Sequence, residues 1–295
     1  MNKAMKKFLL SGAFISLVLI IVCTSCVSNP PGPMPSKERI LADNAVLRAE
    51  KFSKNQQWQE AVLAWSTAAE QLELLDDIAA KAIAEHNCGY ALMKLQKYID
   101  AEKRFEKSVS LCRNAGLTNQ WLYSEIALAQ VRRMTGRTKE ALEMLQGIRL
   151  NAGASKDSNL KTTFLIEYGI CLNEAGDANL GLQTLADALK TLEKSNDYYS
   201  IGCAFAGRAS VWETIGDYNQ AINDWKKALE YFKRVGDLPS IAQAMASQGR
   251  LIIKARGDSN AASRLLNQAR KIYLKLNMED HAKSLDESID QIKEH

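Results

Sequence analysis

The clearest alternation of apolar and polar positions lies between Gly216 and Asp237. Its apolar residues follow one another at spacings of 1, 3, 3, 1 and 3, which places them on one face of a helix. They are Ala221, Ile222, Trp225, Ala228, Leu229 and Phe232. Lys226, Lys227 and Glu230 fall off that stripe. The pattern predicts an amphipathic helix that buries its apolar face against a neighbour.

A turn position recurs through the chain at intervals of 40, 40, 40, 40 and 41 residues. It is occupied by Gln56, Gln96, Gly136, Gly176, Gly216 and Gly257. Glycine ends a helix readily because it adopts the left-handed conformation at little cost. Asp177, Asp217 and Asp258 follow directly, where a carboxylate can accept the free amides of the next helix. The interval predicts six units, each with a helix on either side of the turn.

Two further marks keep the same register after each turn. A small residue comes five positions later: Ala61, Ala101, Ala141, Gly181, Ala221 and Ala262. A large apolar residue comes four positions beyond it: Trp65, Phe105, Leu145, Leu185, Trp225 and Leu266. The small residue allows two helices to approach closely, and the large one fills the space one turn further on. Such units bury their apolar faces only by stacking on one another.

The first helices carry a small residue too, at Ala49, Gly89, Ala129, Gly169 and Ala209, whereas the last unit has Arg250 there, with Gly249 one position earlier. Together these marks resemble the tetratricopeptide repeat, in a variant with a longer period than the usual one of about 34 residues. The resemblance implies an all-α fold, a right-handed α-solenoid of about six antiparallel helical hairpins. The predicted units span about 40–78, 79–118, 119–158, 159–198, 199–237 and 238–278, followed by a C-terminal capping helix over 279–295.

The first residues have the pattern of a targeting segment. Lys3, Lys6 and Lys7 precede the apolar run Phe8–Val22. Thr24 and Ser25 before Cys26 resemble the lipobox of bacterial lipoproteins, which implies a signal peptide over 1–25 and acylation of Cys26, for example with palmitate. Cys23 departs from the usual leucine of that motif. An uncleaved signal anchor and a plain secretory signal are the alternatives.

A proline-rich stretch follows the proposed anchor. Four of the five prolines lie within SNPPGPMPS, at 28–36, which predicts an extended tether over 26–38. The lipobox resemblance and the tether together place the repeats in the bacterial cell envelope. The chain would be anchored to the inner or outer membrane through Cys26, and the repeats would face the periplasm.

The remaining composition offers little chemistry. Without residues 1–25 the basic residues number 35 (38 − 3) against 34 acidic ones, which argues against a nucleic-acid partner. No phosphate-binding glycine loop and no metal-binding spacing of histidine or cysteine occurs in the sequence. We therefore predict no enzymatic activity, no cofactor and no metal site. Cys88, Cys112, Cys171 and Cys203 are expected to be buried hydrophobic residues, with a disulfide left open.

In the tetratricopeptide family the first helices line a concave surface that holds the partner. Transferring its exposed positions to this chain predicts a groove for a protein or peptide. The preferred contact residues are Tyr90, Met93, Tyr123, Gln130, Arg133, Asn173 and Glu213. We expect a non-catalytic scaffold lipoprotein that mediates protein–protein interactions in the envelope. The alternatives are a peptide- or small-ligand receptor associated with a transporter, and an accessory subunit that only spaces other proteins.

Overall fold

A computed structural model describes residues 36–293, and that part of the chain is helical without strands. Twelve helices form six consecutive pairs, and two short helices follow. The pairs are α1 (Lys37–Lys54) and α2 (Trp58–Leu74), α3 (Ile78–Lys94) and α4 (Tyr98–Asn114), α5 (Thr118–Met134) and α6 (Thr138–Ala154), α7 (Ser158–Glu174) and α8 (Ala178–Thr191), α9 (Tyr198–Ile215) and α10 (Tyr218–Val235), and α11 (Leu238–Lys254) and α12 (Ser259–Lys275). The short helices are α13 (Glu279–Lys283) and α14 (Asp286–Lys293).

Each helix packs on the helices before and after it, and the first helices α3, α5, α7 and α9 also contact one another in that order. This arrangement confirms the predicted all-α solenoid of helical hairpins. The large apolar positions of the second helices lie in its core, where Phe105, Leu145, Leu185 and Leu266 are fully buried. No helix within 36–293 combines the length and the hydropathy that crossing a bilayer requires.

Close packing between paired helices depends on the small positions. A Cβ atom on Gly169 would lie 2.7 Å from Cγ of Leu185, and one on Gly249 would lie 2.7 Å from Cγ of Leu266. The small residue of the last unit is thus Gly249, one position before the site expected from the other units.

The turns after the first helices follow the predicted interval, with one correction. Gln56 and Gln96 adopt left-handed φ values of 59°, and glycines do so in the next three units. In the sixth unit the left-handed residue is Arg256 (φ 54°), so the prediction of Gly257 was wrong. The reason is that the Gly257 amide donates to the carbonyl of Ile252, a bond closing a helix whose preceding residue is left-handed. The interval of 40 residues is therefore kept through all six units.

Two turns between units use a different device, which the sequence analysis missed. After α6 and α8 no residue is left-handed; instead Ser155 and Ser195 accept a hydrogen bond from the amide two residues on. Those amides belong to Asp157 and Asp197, which cap the next helices. The recurring Ser-x-Asp, 40 residues apart, was the available signal.

The end of the solenoid also differs from the prediction of one capping helix. Two short helices cover α12, and Ala282, Leu285 and Ile289 are buried there. The helix is interrupted because the hydroxyl of Ser284 donates to the carbonyl of His281, and Arg250 donates to the carbonyl of Ser284.

At the other end, Ser36 caps α1 by accepting the amide of Arg39, so the helix begins at Lys37, before the expected end of the tether. The predicted signal peptide, the acylated Cys26 and nearly all of the tether lie outside the described residues, as do residues 294 and 295.

Candidate peptide- or protein-binding surface

The seven predicted contact residues lie on the first helices α3, α5, α7 and α9. Tyr90, Tyr123, Gln130, Arg133 and Glu213 are half-buried. Met93 and Asn173 are buried, at 8% and 7% exposure. Asn173 Oδ1 has no hydrogen-bond partner among the described residues. The groove assignment of all seven therefore stays a prediction, and the contacts of each decide which of them a partner could reach.

Tyr123 connects two neighbouring first helices. Its hydroxyl donates to Oδ2 of Asp157 at 3.0 Å, and Oδ1 of the same carboxylate accepts the amides of Asn159 and Leu160 at the start of α7. Burial and the bond to Asp157 raise the pKa of Tyr123 above its usual range. Tyr123 thus fixes α5 to the beginning of α7.

Arg133 makes a second and stronger connection between the same helices. Its Nε lies 2.5 Å from Glu167 Oε1, its Nη2 lies 3.3 Å from Oε2, and its Nη1 lies 2.9 Å from Glu174. Burial alone would lower the pKa of Arg133, but the attraction of Glu167 and Glu174 outweighs it, so the pKa is raised. Because Glu167 is 4% exposed, Arg133 neutralises a buried charge and is largely committed to the fold.

Glu213 forms a related but exposed pair. Its carboxylate accepts from Lys254 of α11 at 2.6 Å, and both side chains remain accessible. Exposed pairs of this kind contribute little to stability. Glu213 is therefore more available to a partner than Arg133.

Lys94 joins parts of the solenoid that are far apart in sequence. Its ammonium donates to the Tyr199 hydroxyl at 3.0 Å and lies 3.8 Å from Asp237. It also lies over the rings of Tyr90 and Tyr199, at 5.4 and 4.9 Å from their centres. We call these four residues the Lys94 bridge. It connects the end of α3 in the second unit to the start of α9 and to the residue that caps α11.

His86 lies beside the bridge helix on a polar network. Its Nδ1 is 3.1 Å from the hydroxyl of Ser124, which is 2.9 Å from that of Ser108. The ring meets Phe105 edge-on, with 5.3 Å between centres. Burial lowers the pKa of His86 to about 4, so the ring is neutral near pH 7.

The two best-formed clefts are on other positions. One of about 430 Å³ lies between α4 and α6 above α5, lined by Val109, Arg113, Glu125, Leu128 and Met144 among others. The second, of about 250 Å³, adjoins it around Cys112 and Trp121. Neither includes any of the seven predicted contact residues. We give more weight to the first helices because these clefts are shallow surface features.

Other chemistry is sparse within residues 36–293. No group of three histidine, cysteine, aspartate or glutamate side chains is arranged to hold a metal ion there. The four cysteines in this range are free thiols; Cys88, Cys112 and Cys171 are buried and Cys203 is partly so. Burial raises the pKa of Cys203 to about 12.

Comparison with known proteins identifies the architecture. No family model and no curated protein matches the chain. A solved Rap protein complexed with Competence and Sporulation Factor is similar, with a TM-score of 0.64 and 13% identity over 88% of this chain and 77% of that one. Bacillus thuringiensis PlcR in complex with the peptide PapR7 and DNA gives a TM-score of 0.62 and 13% identity, over 77% and 84% of the two chains.

A third structure carries the repeat type in its description. It is a putative kinesin light chain of Podosopora anserina with nearly identical TPR-like repeats, with a TM-score of 0.51 and 16% identity over 69% of this chain and 99% of that one. At such identities the likeness shows the fold alone. The chain thus has a tetratricopeptide-type fold.

Proposed function

We propose that the chain is a non-catalytic lipoprotein of the bacterial cell envelope whose first helices bind a protein or peptide partner. The observation that carries the proposal is the stacked series of first helices, because it aligns half-buried polar and apolar side chains from successive units along one surface. A surface of this kind suits an extended peptide or a partner helix. The similar Rap and PlcR structures, each complexed with another molecule, support a binding function.

The membrane attachment rests on sequence. Cys26 follows a basic and then apolar segment, and a proline-rich stretch separates it from α1. Acylation at Cys26 would keep the repeats at a membrane of the envelope, facing the periplasm. Mass spectrometry of the purified protein tests this directly. An N-terminal residue other than acylated Cys26 would overturn the lipoprotein assignment.

Site-specific photo-crosslinking tests the binding surface. A photoreactive residue at Gln130 or at Ile83, which is 44% exposed on α3, should capture a discrete partner in intact cells. The matched position is Leu63, 71% exposed on the second helix α2, which should capture none. Equal capture from Leu63, or no product from Gln130 and Ile83, would contradict the proposal.

A second candidate is a receptor for a short peptide or small ligand that serves a transporter. The Lys94 bridge favours it, since a solenoid that is connected between its second and fifth units encloses more of its inner surface. Native mass spectrometry of protein purified from its own cells distinguishes the two. A reproducible bound mass of peptide or metabolite size supports the receptor, and empty spectra beside a crosslinked protein partner support the scaffold.

A further inference from the structure

The first helix has an exposed face distinct from the predicted groove. Residues on it recur at spacings of 3, 4, 3, 4 and 3, which is one stripe of an α-helix. This outer stripe consists of Lys37, Ile40, Asn44, Leu47, Lys51 and Lys54, with Arg48 beside it. All seven side chains are exposed, and the two apolar ones considerably so, at 47% for Ile40 and 62% for Leu47.

The corresponding face of the next first helix is covered. One repeat later, Asn44, Arg48 and Lys51 become Ala84, Cys88 and Ala91, each at most 1% exposed. The Cys88 thiol lies 3.8 Å from the carbonyl of Val62, so α2 of the preceding unit provides the cover. On α1 the same face has no cover among the described residues, and it carries cations in place of small residues.

The charge of the outer stripe is one-sided. Lys37, Lys51 and Lys54 form no ion pair within residues 36–293, and the acid at the edge, Asp43, is already paired with Arg39 at 3.0 Å. The opposite end of the solenoid is acidic. Its helices α13 and α14 carry Glu279, Asp280, Asp286, Glu287 and Asp290. The molecule therefore has a basic end and an acidic end.

We propose that the outer stripe of α1 docks on an anionic lipid surface. This rests on the proposed anchoring near the N-terminus. Cys26 precedes Ser36 by ten residues (36 − 26), and so short a chain spans at most about 35 Å. A helix face that combines exposed leucine and isoleucine with lysine and arginine is the kind that lies at a membrane interface. A lipid chain alone binds weakly, and a basic patch supplies the second attraction.

Charge argues for lipid over another copy of the chain. Pairing two outer stripes would bring the cations of one α1 against those of another, and the acidic end lies six units away. Docking of α1 instead fixes the solenoid with its acidic cap pointing away from the membrane. The first helices then stand at defined heights above the lipid, so the orientation presents the groove to partners.

Depth-dependent fluorescence quenching tests the docking. The full chain carries an environment-sensitive fluorescent amino acid at position 44 and is reconstituted in vesicles of phosphatidylcholine, with or without phosphatidylglycerol. Reconstitution works through the acyl group or through the apolar run Phe8–Val22. Nitroxide-labelled lipid should quench the probe in the anionic vesicles at low salt, and much less in the neutral ones. A probe at Gln243, exposed on α11, should stay unquenched.

Charge and apolar variants supply the controls. Lys51→Glu with Lys54→Glu should weaken docking by roughly five-fold for each cation removed. Lys271→Glu with Lys275→Glu changes the net charge equally on exposed positions of α12 and should leave quenching intact. Leu47→Ser should reduce quenching, whereas Leu63→Ser on α2 should not.

Equal quenching at positions 44 and 243, or no response to phosphatidylglycerol, overturns the proposal. Capture of the stripe by a protein, seen as protection of position 44 only when envelope extract is added, would also overturn it. These outcomes do not depend on acylation of Cys26, which mass spectrometry decides separately.

Discussion

At the scale of single residues, His86 shows how a polar group is kept inside the stack of first helices. It lies between the hydroxyl of Ser124 and the ring of Phe105. Burial lowers its pKa from 6.5 to about 4, so the folded state resists protonation in a range where the unfolded chain accepts a proton. Stability linked to His86 is thus present above pH 6.5 and is lost as the pH falls from 6.5 towards 4.

This linkage predicts a pH-dependent difference between variants. From pH 7 to pH 4 the wild-type chain should lose about 2 to 3 kcal/mol more of its free energy of unfolding than His86→Gln. Urea denaturation at several pH values measures the difference. His281→Gln, at an exposed position of the cap, should follow the wild-type curve. Parallel curves for the wild type and His86→Gln would show that the histidine is not held neutral.

Glycines inside helices give a matched pair at the same scale. A methyl group on Gly249 would meet Leu266 Cγ at 2.7 Å and the backbone oxygen of Ala262 at 3.2 Å. Gly249→Ala should therefore lower the free energy of unfolding by about 1 to 3 kcal/mol. Gly147→Ala meets no atom within 4 Å in α6 and should raise it by about 0.5 to 1 kcal/mol. If both changes had the same sign in urea denaturation, close packing at Gly249 would not be limiting.

At the scale of elements, the turn after α11 is strained where its counterparts are not. Arg256 is left-handed at φ 54°, and the equivalent residue after α9 is Gly216. Arg256→Gly should raise the free energy of unfolding by about 0.5 to 1 kcal/mol, because glycine adopts this conformation without a steric penalty. The reciprocal change Gly216→Arg should lower it by a similar amount. Thermal unfolding followed by circular dichroism compares the two, and a loss in both would contradict the assignment of strain.

The contact between α5 and α7 provides a second prediction for elements. Arg133→Met leaves Glu167 buried without its partner, so it should cost about 3 kcal/mol of unfolding free energy. Lys254→Met breaks the exposed pair with Glu213 and should cost less than about 1 kcal/mol. Urea denaturation of both variants checks the contrast. Equal losses would mean that Glu167 is better solvated than its exposure indicates. A partner-binding defect in an Arg133 variant must be judged against this loss of stability.

The elements also show what the sequence could and could not predict. Period, small positions and large positions were predictable because each unit must repeat the same packing, and Ala61, Ala101 and Ala141 are all fully buried. The left-handed residue at Arg256 was not, because the neighbouring glycine offered a cheaper candidate. The contact residues were least predictable, because family positions do not reveal side-chain partners. Arg133 finds Glu167 one repeat later, and that pairing is visible only in three dimensions.

At the scale of the whole molecule, the Lys94 bridge decides how open the solenoid is. Stacked units contact mainly their neighbours, so the curvature of a solenoid follows from small rotations between units. The bridge adds a contact between residues 105 positions apart, from Lys94 to Tyr199. Ammonium groups over aromatic rings are stabilised by the ring faces, and Asp237 adds an opposite charge. No repeat pattern could have predicted it, since it links different positions of different units.

Removing the bridge should let the solenoid open without unfolding it. Lys94→Met retains most of the apolar stem and loses the ammonium group, so the radius of gyration in small-angle X-ray scattering should increase while the helical content stays constant. Resonance energy transfer between dyes at the exposed positions Lys97 and Asn196 should fall, because those residues flank the two ends of the bridge. Lys254→Met removes an ion pair between neighbouring first helices only, and it should change neither signal. Tyr199→Phe, which keeps the ring but not the hydroxyl, should produce a smaller opening than Lys94→Met. If Lys94→Met leaves both the radius and the energy transfer unchanged, the curvature is set entirely by the contacts between neighbouring units.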